Sequence, residues 1–210
     1  MQETSLAGFI MATRLEAEPF IETFNMKEIE DQPFPIYGRG EIILAISGIG
    51  KANAAMVTAY ACTKFHPEWI LNLGAAGATE SSRDLGSIYH IEKTVEPDRP
   101  HLKTNTPYVL FPDVLQGFKK AVLATQDKAI NDLETFREIA PIADLVDMEG
   151  ASVVQVCRKF GKRCLLFKYV SDTPVHVNHG DMIIDHIKKY SGSFCDFISN
   201  SVVPALKKEA

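Results

Sequence analysis

Three apolar segments in the first half of the chain each end in small or polar residues; they are residues 8–11, 41–46 and 69–73. The second is followed by an alanine-rich stretch, residues 52–65, which is typical of a helix. Strands that alternate with helices form largely parallel sheets covered by helices. The order of these segments therefore predicts an α/β protein.

The rest of the chain continues this alternation less regularly. Further strands are predicted at residues 88–91, 122–125 and 163–170, and helices at 133–139, 151–160 and 182–206. Gly192 could break the last helix, and the four prolines within residues 96–112 predict a loop there. Because no repeat or linker divides the chain, residues 1–210 are expected to form one domain.

Charge and hydropathy exclude several classes of partner. The chain has 22 Lys and Arg against 27 Asp and Glu, a net charge of −5, which argues against binding to nucleic acid or to an anionic membrane. It has neither a signal-peptide pattern nor an apolar stretch near the roughly 20 residues that span a bilayer. The expected location is therefore the cytoplasm.

The cysteines and histidines carry no clear catalytic or metal pattern. The four cysteines contain no CxxC pair, and most lie in apolar surroundings, so we expect them to be core residues. His176 and His179 are three residues apart in a predicted loop, which is a weak metal signal. No metal and no cofactor are expected.

Polar or glycine-rich segments follow four predicted strands, at residues 13–16, 47–51, 72–77 and 171–172, and a fifth, 147–150, precedes a helix. In open α/β sheets, ligands bind where strands end at their carboxyl edge. Each segment also has a plain structural interpretation, as a tight turn or as a helix start where acidic residues complement the dipole. Together they predict one cleft.

Taken together, these motifs resemble the nucleoside phosphorylase/nucleosidase superfamily, and most of all its methylthioadenosine/S-adenosylhomocysteine nucleosidases. The resemblance covers nearly the whole chain and rests on Glu16, SGIGKANAA (47–55), NLGAAGA (72–78), VDMEGASVVQV (146–156) and YVSDT (169–173). It implies a three-layer α/β/α sandwich with a mixed, mostly parallel central sheet. It also implies a small-molecule nucleoside substrate and assembly as a homodimer.

The resemblance assigns a role to each matching residue. Asp172, next to Ser171, matches the acid that protonates N7 of the purine, and Glu16 matches the carboxylate that deprotonates the attacking water. Glu149 matches the acceptor for the ribose hydroxyls, and Met148 packs on the sugar. The remaining matches are Ile49 in the cleft wall, Ala75, Ala76 and Gly77 in the turn beside the base, and Ile130, whose main chain holds the base.

The resemblance predicts hydrolysis of the N-glycosidic bond of a purine-type, 5′-modified nucleoside. The sugar becomes oxocarbenium-like as the bond breaks, so an acid near the base and a carboxylate that activates water suit the reaction. Departures at Thr13, Ala129 and Val175 leave the substrate open, and a futalosine hydrolase-like activity stays an alternative. Two others are a phosphorylase, which Arg14 would serve, and a non-catalytic nucleoside-binding protein.

Overall fold

A computed structural model describes residues 5–130, 132–176 and 180–209 of the chain. Its ten strands are β1 (Ala7–Met11), β2 (Lys27–Glu30), β3 (Ile36–Arg39), β4 (Ile42–Ile46), β5 (Trp69–Ala78), β6 (Ile88–Pro100), β7 (Pro107–Leu110), β8 (Lys120–Thr125), β9 (Leu145–Asp147) and β10 (Arg163–Asp172). The helices are α1 (Arg14–Thr23), α2 (Lys51–Lys64), α3 (Leu133–Ile139), α4 (Gly150–Phe160), α5 (Gly180–Phe197) and α6 (Val203–Glu209).

The strands form one mixed sheet in the order β10-β6-β8-β9-β5-β1-β4-β3-β2. Strand β7 pairs with the second half of β6, from Thr94 to Pro100. Strands β4, β1, β5 and β10 are parallel to one another, whereas β2, β3 and β7 join through antiparallel pairings. Because β10 also pairs with β5, the sheet curls back on itself. The predicted mixed α/β architecture is confirmed.

Helices cover both faces of this sheet. Phe20 of α1 and Phe194 of α5 pack on one face, in a cluster with the central residue Leu71 of β5. Val57 of α2 and Val154 of α4 pack on the other face. This is the predicted three-layer sandwich. All four cysteines are buried with free thiols, as expected of core residues.

The loop predicted for residues 96–112 is largely wrong, because β6 continues to Pro100 and β7 pairs with it. Proline is tolerated there because β7 is an edge strand and because Pro100 and Pro107 stand opposite each other at the end of the hairpin. The register of the pairing also shifts between Glu96 and Pro100. The short strands β2, β3 and β9 were not predicted; β2 is mostly exposed and charged, so it lacks an apolar signal.

Helix α5 runs through Gly192 without a break. The irregularity lies further on, in a π-helical turn at Ile198–Val202 that leads into α6. Within the described ranges, no helix is long and apolar enough to cross a membrane. The one-domain prediction stays a prediction, since residues 1–4, 131, 177–179 and 210 lie outside the described part.

The continuous α5 helix leads to a stability prediction at Gly192. A Cβ at Gly192 would have nothing within 4 Å, so Gly192→Ala should raise the free energy of unfolding by about 0.5–1 kcal/mol. Gly161, which ends α4 at φ +63°, is equally uncrowded, but there alanine adopts a left-handed conformation and should cost about 1 kcal/mol. Urea unfolding measures both; a destabilising Gly192→Ala would contradict a continuous helix.

Candidate active site

A cleft of about 190 Å³ opens where β1, β5 and β10 end. The sequence-predicted site residues that line it are Glu16, Ile49, Ala75, Ala76, Gly77, Met148, Glu149 and Ser171. Its wall also contains Ala12, Thr13, Val146, Asp147, Ile183 and Ile187, of which the two isoleucines belong to α5. Larger cavities lie at the β6–β7 hairpin, but the described residues that line them include no carboxylate.

Glu16 lies in the first turn of α1 and is almost fully buried. One carboxylate oxygen, Oε2, accepts hydrogen bonds from the main-chain N (3.1 Å) and the hydroxyl (2.6 Å) of Thr13, the N-cap residue. The other, Oε1, accepts one from the main-chain N of Ala75 at 2.9 Å. The local capping box and the end of β5 thus hold the carboxylate, and the helix dipole favours its negative charge there.

Asp172 stands at the end of β10, opposite Gly77 of β5. The Ser171 hydroxyl donates a hydrogen bond to its Oδ1 at 2.6 Å. Burial raises the pKa of Asp172 above its ordinary value, although Ser171 and the neighbouring His176 and His186 act against this. A carboxyl group whose pKa is raised keeps its proton to higher pH, which suits an acid catalyst.

Two glycines of β5 leave room for the two carboxylates. A Cβ at Gly74 would lie 2.7 Å from Oε1 of Glu16, and a Cβ at Gly77 would lie 2.8 Å from Oδ2 of Asp172. Both distances are too short for real contacts. The glycines of the NLGAAGA motif therefore let the main chain of β5 approach both carboxylates.

Glu149 lies in the turn between β9 and α4 and is buried. Its Oε1 accepts a hydrogen bond from the main-chain N of Gly50 at 2.9 Å. Burial, and next the nearby charge of Asp147, raise the pKa of Glu149 to about 7. Its Oε2 accepts no hydrogen bond from the described residues, and Glu149 lines the cleft.

An ion pair that the sequence analysis missed lies beneath these carboxylates. The Nζ of Lys168 and Oδ2 of Asp147 are 2.9 Å apart, and both side chains are almost completely buried. Burial alone lowers the pKa of Lys168, yet Asp147 and then Glu149 raise it above its ordinary value. A lysine inside the otherwise apolar run 164–170 was the available signal, since lysine is rarely buried without a partner.

Some predicted residues are less closely tied to the cleft. Ile49 lines it but is 56% exposed, and the partly buried side chain of Ile130 packs against a separate small cluster around Phe136. The main-chain role of Ile130 stays a prediction. His179 lies outside the described residues, and the described ones contain no cluster of three metal-binding side chains.

The chain is similar to known proteins in both sequence and structure. A family model described as the phosphorylase superfamily matches residues 7–133 and 118–202. A 5′-methylthioadenosine/S-adenosylhomocysteine nucleosidase from Staphylococcus epidermidis is 31% identical over 158 residues, which cover 63% of this chain and 68% of the relative.

Two solved structures share the fold. The apo 5′-methylthioadenosine nucleosidase of Arabidopsis thaliana superimposes with a TM-score of 0.84 at 19% identity, and the match covers 97% of this chain and 96% of that one. The native futalosine hydrolase of Helicobacter pylori gives 0.81 at 21% identity and covers 99% of each chain.

With this fold and this match, the chain belongs to the phosphorylase superfamily. Within the superfamily it is a nucleosidase, an enzyme that hydrolyses N-glycosidic bonds, and the resemblance inferred from its motifs is confirmed.

The close approach of Gly77 to Asp172 can be tested by adding a methyl group at position 77. Gly77→Ala should displace the carboxyl group and lower kcat for base release by roughly 100-fold, because small misplacements of reacting groups cost about that much. Gly8→Ala in β1 is the matched control: its Cβ would press on Ile70 at 3.1 Å, in the same sheet but away from Asp172. Near-normal kcat in folded Gly77→Ala would contradict the role of Asp172.

Proposed function

We propose that the chain hydrolyses a purine-type nucleoside with a modified 5′ position, of the methylthioadenosine/S-adenosylhomocysteine kind, and releases the free base and the pentose. The proposal is supported mainly by one observation. Glu16 and Glu149 line a single cleft, and Asp172 lies at its edge, next to the lining residues Ser171 and Gly77. A protein that only binds a nucleoside would not need all three carboxyl groups, and this argues against the non-catalytic alternative.

The proposed mechanism divides the work among these groups. Asp172 donates its proton to N7 of the base while the electrons of the C1′–N9 bond move into the departing purine. Glu149 accepts hydrogen bonds from the ribose hydroxyls through Oε2, and these strengthen as the sugar becomes electron-poor. Glu16 takes a proton from water, whose oxygen bonds to C1′. Charged groups aimed at developing charge are the strongest means of stabilising such a transition state.

Two contacts support water, and not phosphate, as the acceptor. The Glu16 carboxylate already occupies the N–H groups of Thr13 and Ala75, so the donors that a phosphate would use face a negative charge. Arg14, which a phosphorylase would need for phosphate, hydrogen-bonds to Glu18 and lies 4.8 Å from the ring centre of Tyr37. It does not line the cleft.

We also propose a cytoplasmic homodimer. Exposed apolar side chains include Ile49 (56%) in the cleft wall, Met56 (53%) on α2 and Leu102 (105%) at the β6–β7 hairpin. Contiguous exposed apolar side chains are typical of a surface that another protein covers. Sedimentation of the purified chain measures the oligomeric state directly.

The acceptor can be identified from the product. Base release should proceed in phosphate-free buffer and yield free pentose, and Glu16→Gln should reduce it by roughly 10²–10⁴-fold because an amide cannot take the proton. The measurement is chromatography of the sugar product across a panel that includes methylthioadenosine, S-adenosylhomocysteine, futalosine and inosine.

Arg14→Ala is the internal control for the acceptor. Since Arg14 contacts Glu18 and Tyr37 outside the cleft, its removal should leave hydrolysis nearly unchanged. Pentose 1-phosphate as the main product, lost in Arg14→Ala, would overturn the hydrolytic assignment.

The pKa of Glu149 leads to a prediction on pH dependence. Because that pKa is raised to about 7, Glu149 becomes neutral as the pH falls through this value, and the neutral form stabilises the cationic sugar less. The value of kcat/KM should therefore decline below about pH 7, since its profile reports groups of the free enzyme. Glu149→Gln should lower kcat/KM and remove this decline. A decline that persists in the variant would assign it to another group.

A further inference from the structure

Helix α2 begins without a cap of its own. Gly50 occupies its N-cap position and offers no side chain. The first N–H groups of a helix have no partner within it, so they must be satisfied from outside. Here Gly50 N donates to Oε1 of Glu149 at 2.9 Å, and Lys51 N donates to Oδ1 of Asp127 at 2.9 Å. The position of the Glu149 carboxylate is therefore tied to the place where α2 starts.

The loop before α2 does not hold that place by itself. Gly48 and Gly50 have φ angles of +81° and +103°, a region where glycine is much freer than other residues. Within the loop and the first turn, the Ser47 hydroxyl donates to the carbonyl of Gly48 at 2.7 Å and Nδ2 of Asn53 donates to that of Ile49 at 2.7 Å, and neither bond involves the Gly50 amide. Contacts with neighbouring elements must therefore supply the remaining constraint on the Gly50 amide.

Main-chain bonds from Ser47 N to Met11 O and from Gly48 N to Ala12 O, both 2.9 Å, hold the start of the loop, and the side chain of Lys51 makes contacts at its end. Its Nζ lies 2.8 Å from Oδ1 of Asp98, 3.5 Å from Oε1 of Glu96 and 3.9 Å from Oδ2 of Asp127. Asp98 and Glu96 belong to β6, and Asp127 follows β8. The Lys51 and Glu96 side chains are only 16% and 4% exposed, so the pair between them is less screened than ordinary surface pairs. One ammonium group thus ties the first residue of α2 to two strands.

We propose that Lys51 is a positioning residue for the ribose-binding carboxylate. By fixing the start of α2, it holds the Gly50 N–H against Oε1 of Glu149, and this directs Oε2 toward the sugar hydroxyls. Lys51 does not line the cleft. The proposal rests on the proposed role of Glu149.

A double-mutant cycle tests this coupling. We expect Lys51→Met to lower kcat/KM for a purine ribonucleoside by roughly 10–100-fold, and far less for its 2′-deoxy counterpart, because the displaced carboxylate serves the hydroxyls. In the Glu149→Gln background the same substitution should cost little. Lys51→Arg, which keeps the charge, should restore part of the activity. Lys64→Met, at the other end of α2 and also ion-paired to a glutamate, Glu30, is the matched control and should be near normal.

The outcomes separate the two proposals. Equal losses with and without Glu149, or on ribo and deoxy substrates alike, would overturn the positioning role of Lys51 and leave the mechanism intact. A Glu149→Gln variant with normal kcat/KM would overturn the ribose role itself, and the Lys51 proposal with it. If Lys51→Met does not fold, Asp98→Asn removes a partner of Nζ but keeps the lysine, and it should show a smaller loss with the same dependence on Glu149.

Discussion

The parallel pairing of β5 with β10 runs from Trp69 beside Arg163 to Gly77 beside Asp172. It joins two of the three strands whose ends form the cleft, and its register brings Asp172 against a residue without a side chain. A shift by one residue would turn Asp172 to the other face of the sheet, since successive side chains alternate. The same β5 strand reaches Glu16 through Ala75 and Val146 through Gly77. Asp172, Glu16 and the turn that carries Glu149 are all placed relative to this one pair of strands.

In the proposed mechanism, the charges in the cleft explain why that placement favours catalysis. Glu16, Asp147 and Glu149 lie close together out of water, with Lys168 as their buried counterion. Burying unpaired charge is costly, so the group is stable only because main-chain N–H groups and Lys168 compensate it. In the proposed mechanism, the negative charge of the ionised carboxylates stabilises the positive charge that develops on the sugar. Burial is the main cause of the raised pKa of Glu149, and the nearby charge of Asp147 is the next.

Many elements of this structure could be predicted because their signals are local. The helical pattern at residues 151–160 and the apolar strand at 163–170 match α4 and β10 closely. Errors arose where the local signal conflicted with the sheet. Prolines indicated a loop where an edge hairpin forms, and Gly192 indicated a break where packing keeps α5 helical. Strand β9 has only three residues, and its pairing with β5 and β8 alone makes it a strand.

The sequence by itself determined which chemical groups end each strand, and the capping box of Thr13 and Glu16, because these depend on neighbouring residues. The tertiary structure alone decided how those groups meet. Gly50 and Glu149 are 99 residues apart, and the Ser171 hydroxyl and the carbonyl of Ala76 are 95 apart. Lys168 pairs with Asp147 only because β10 and β9 each pair with β5. Such contacts follow from strand order and register, which are set by burial over the whole sheet. No short segment of the sequence predicts them.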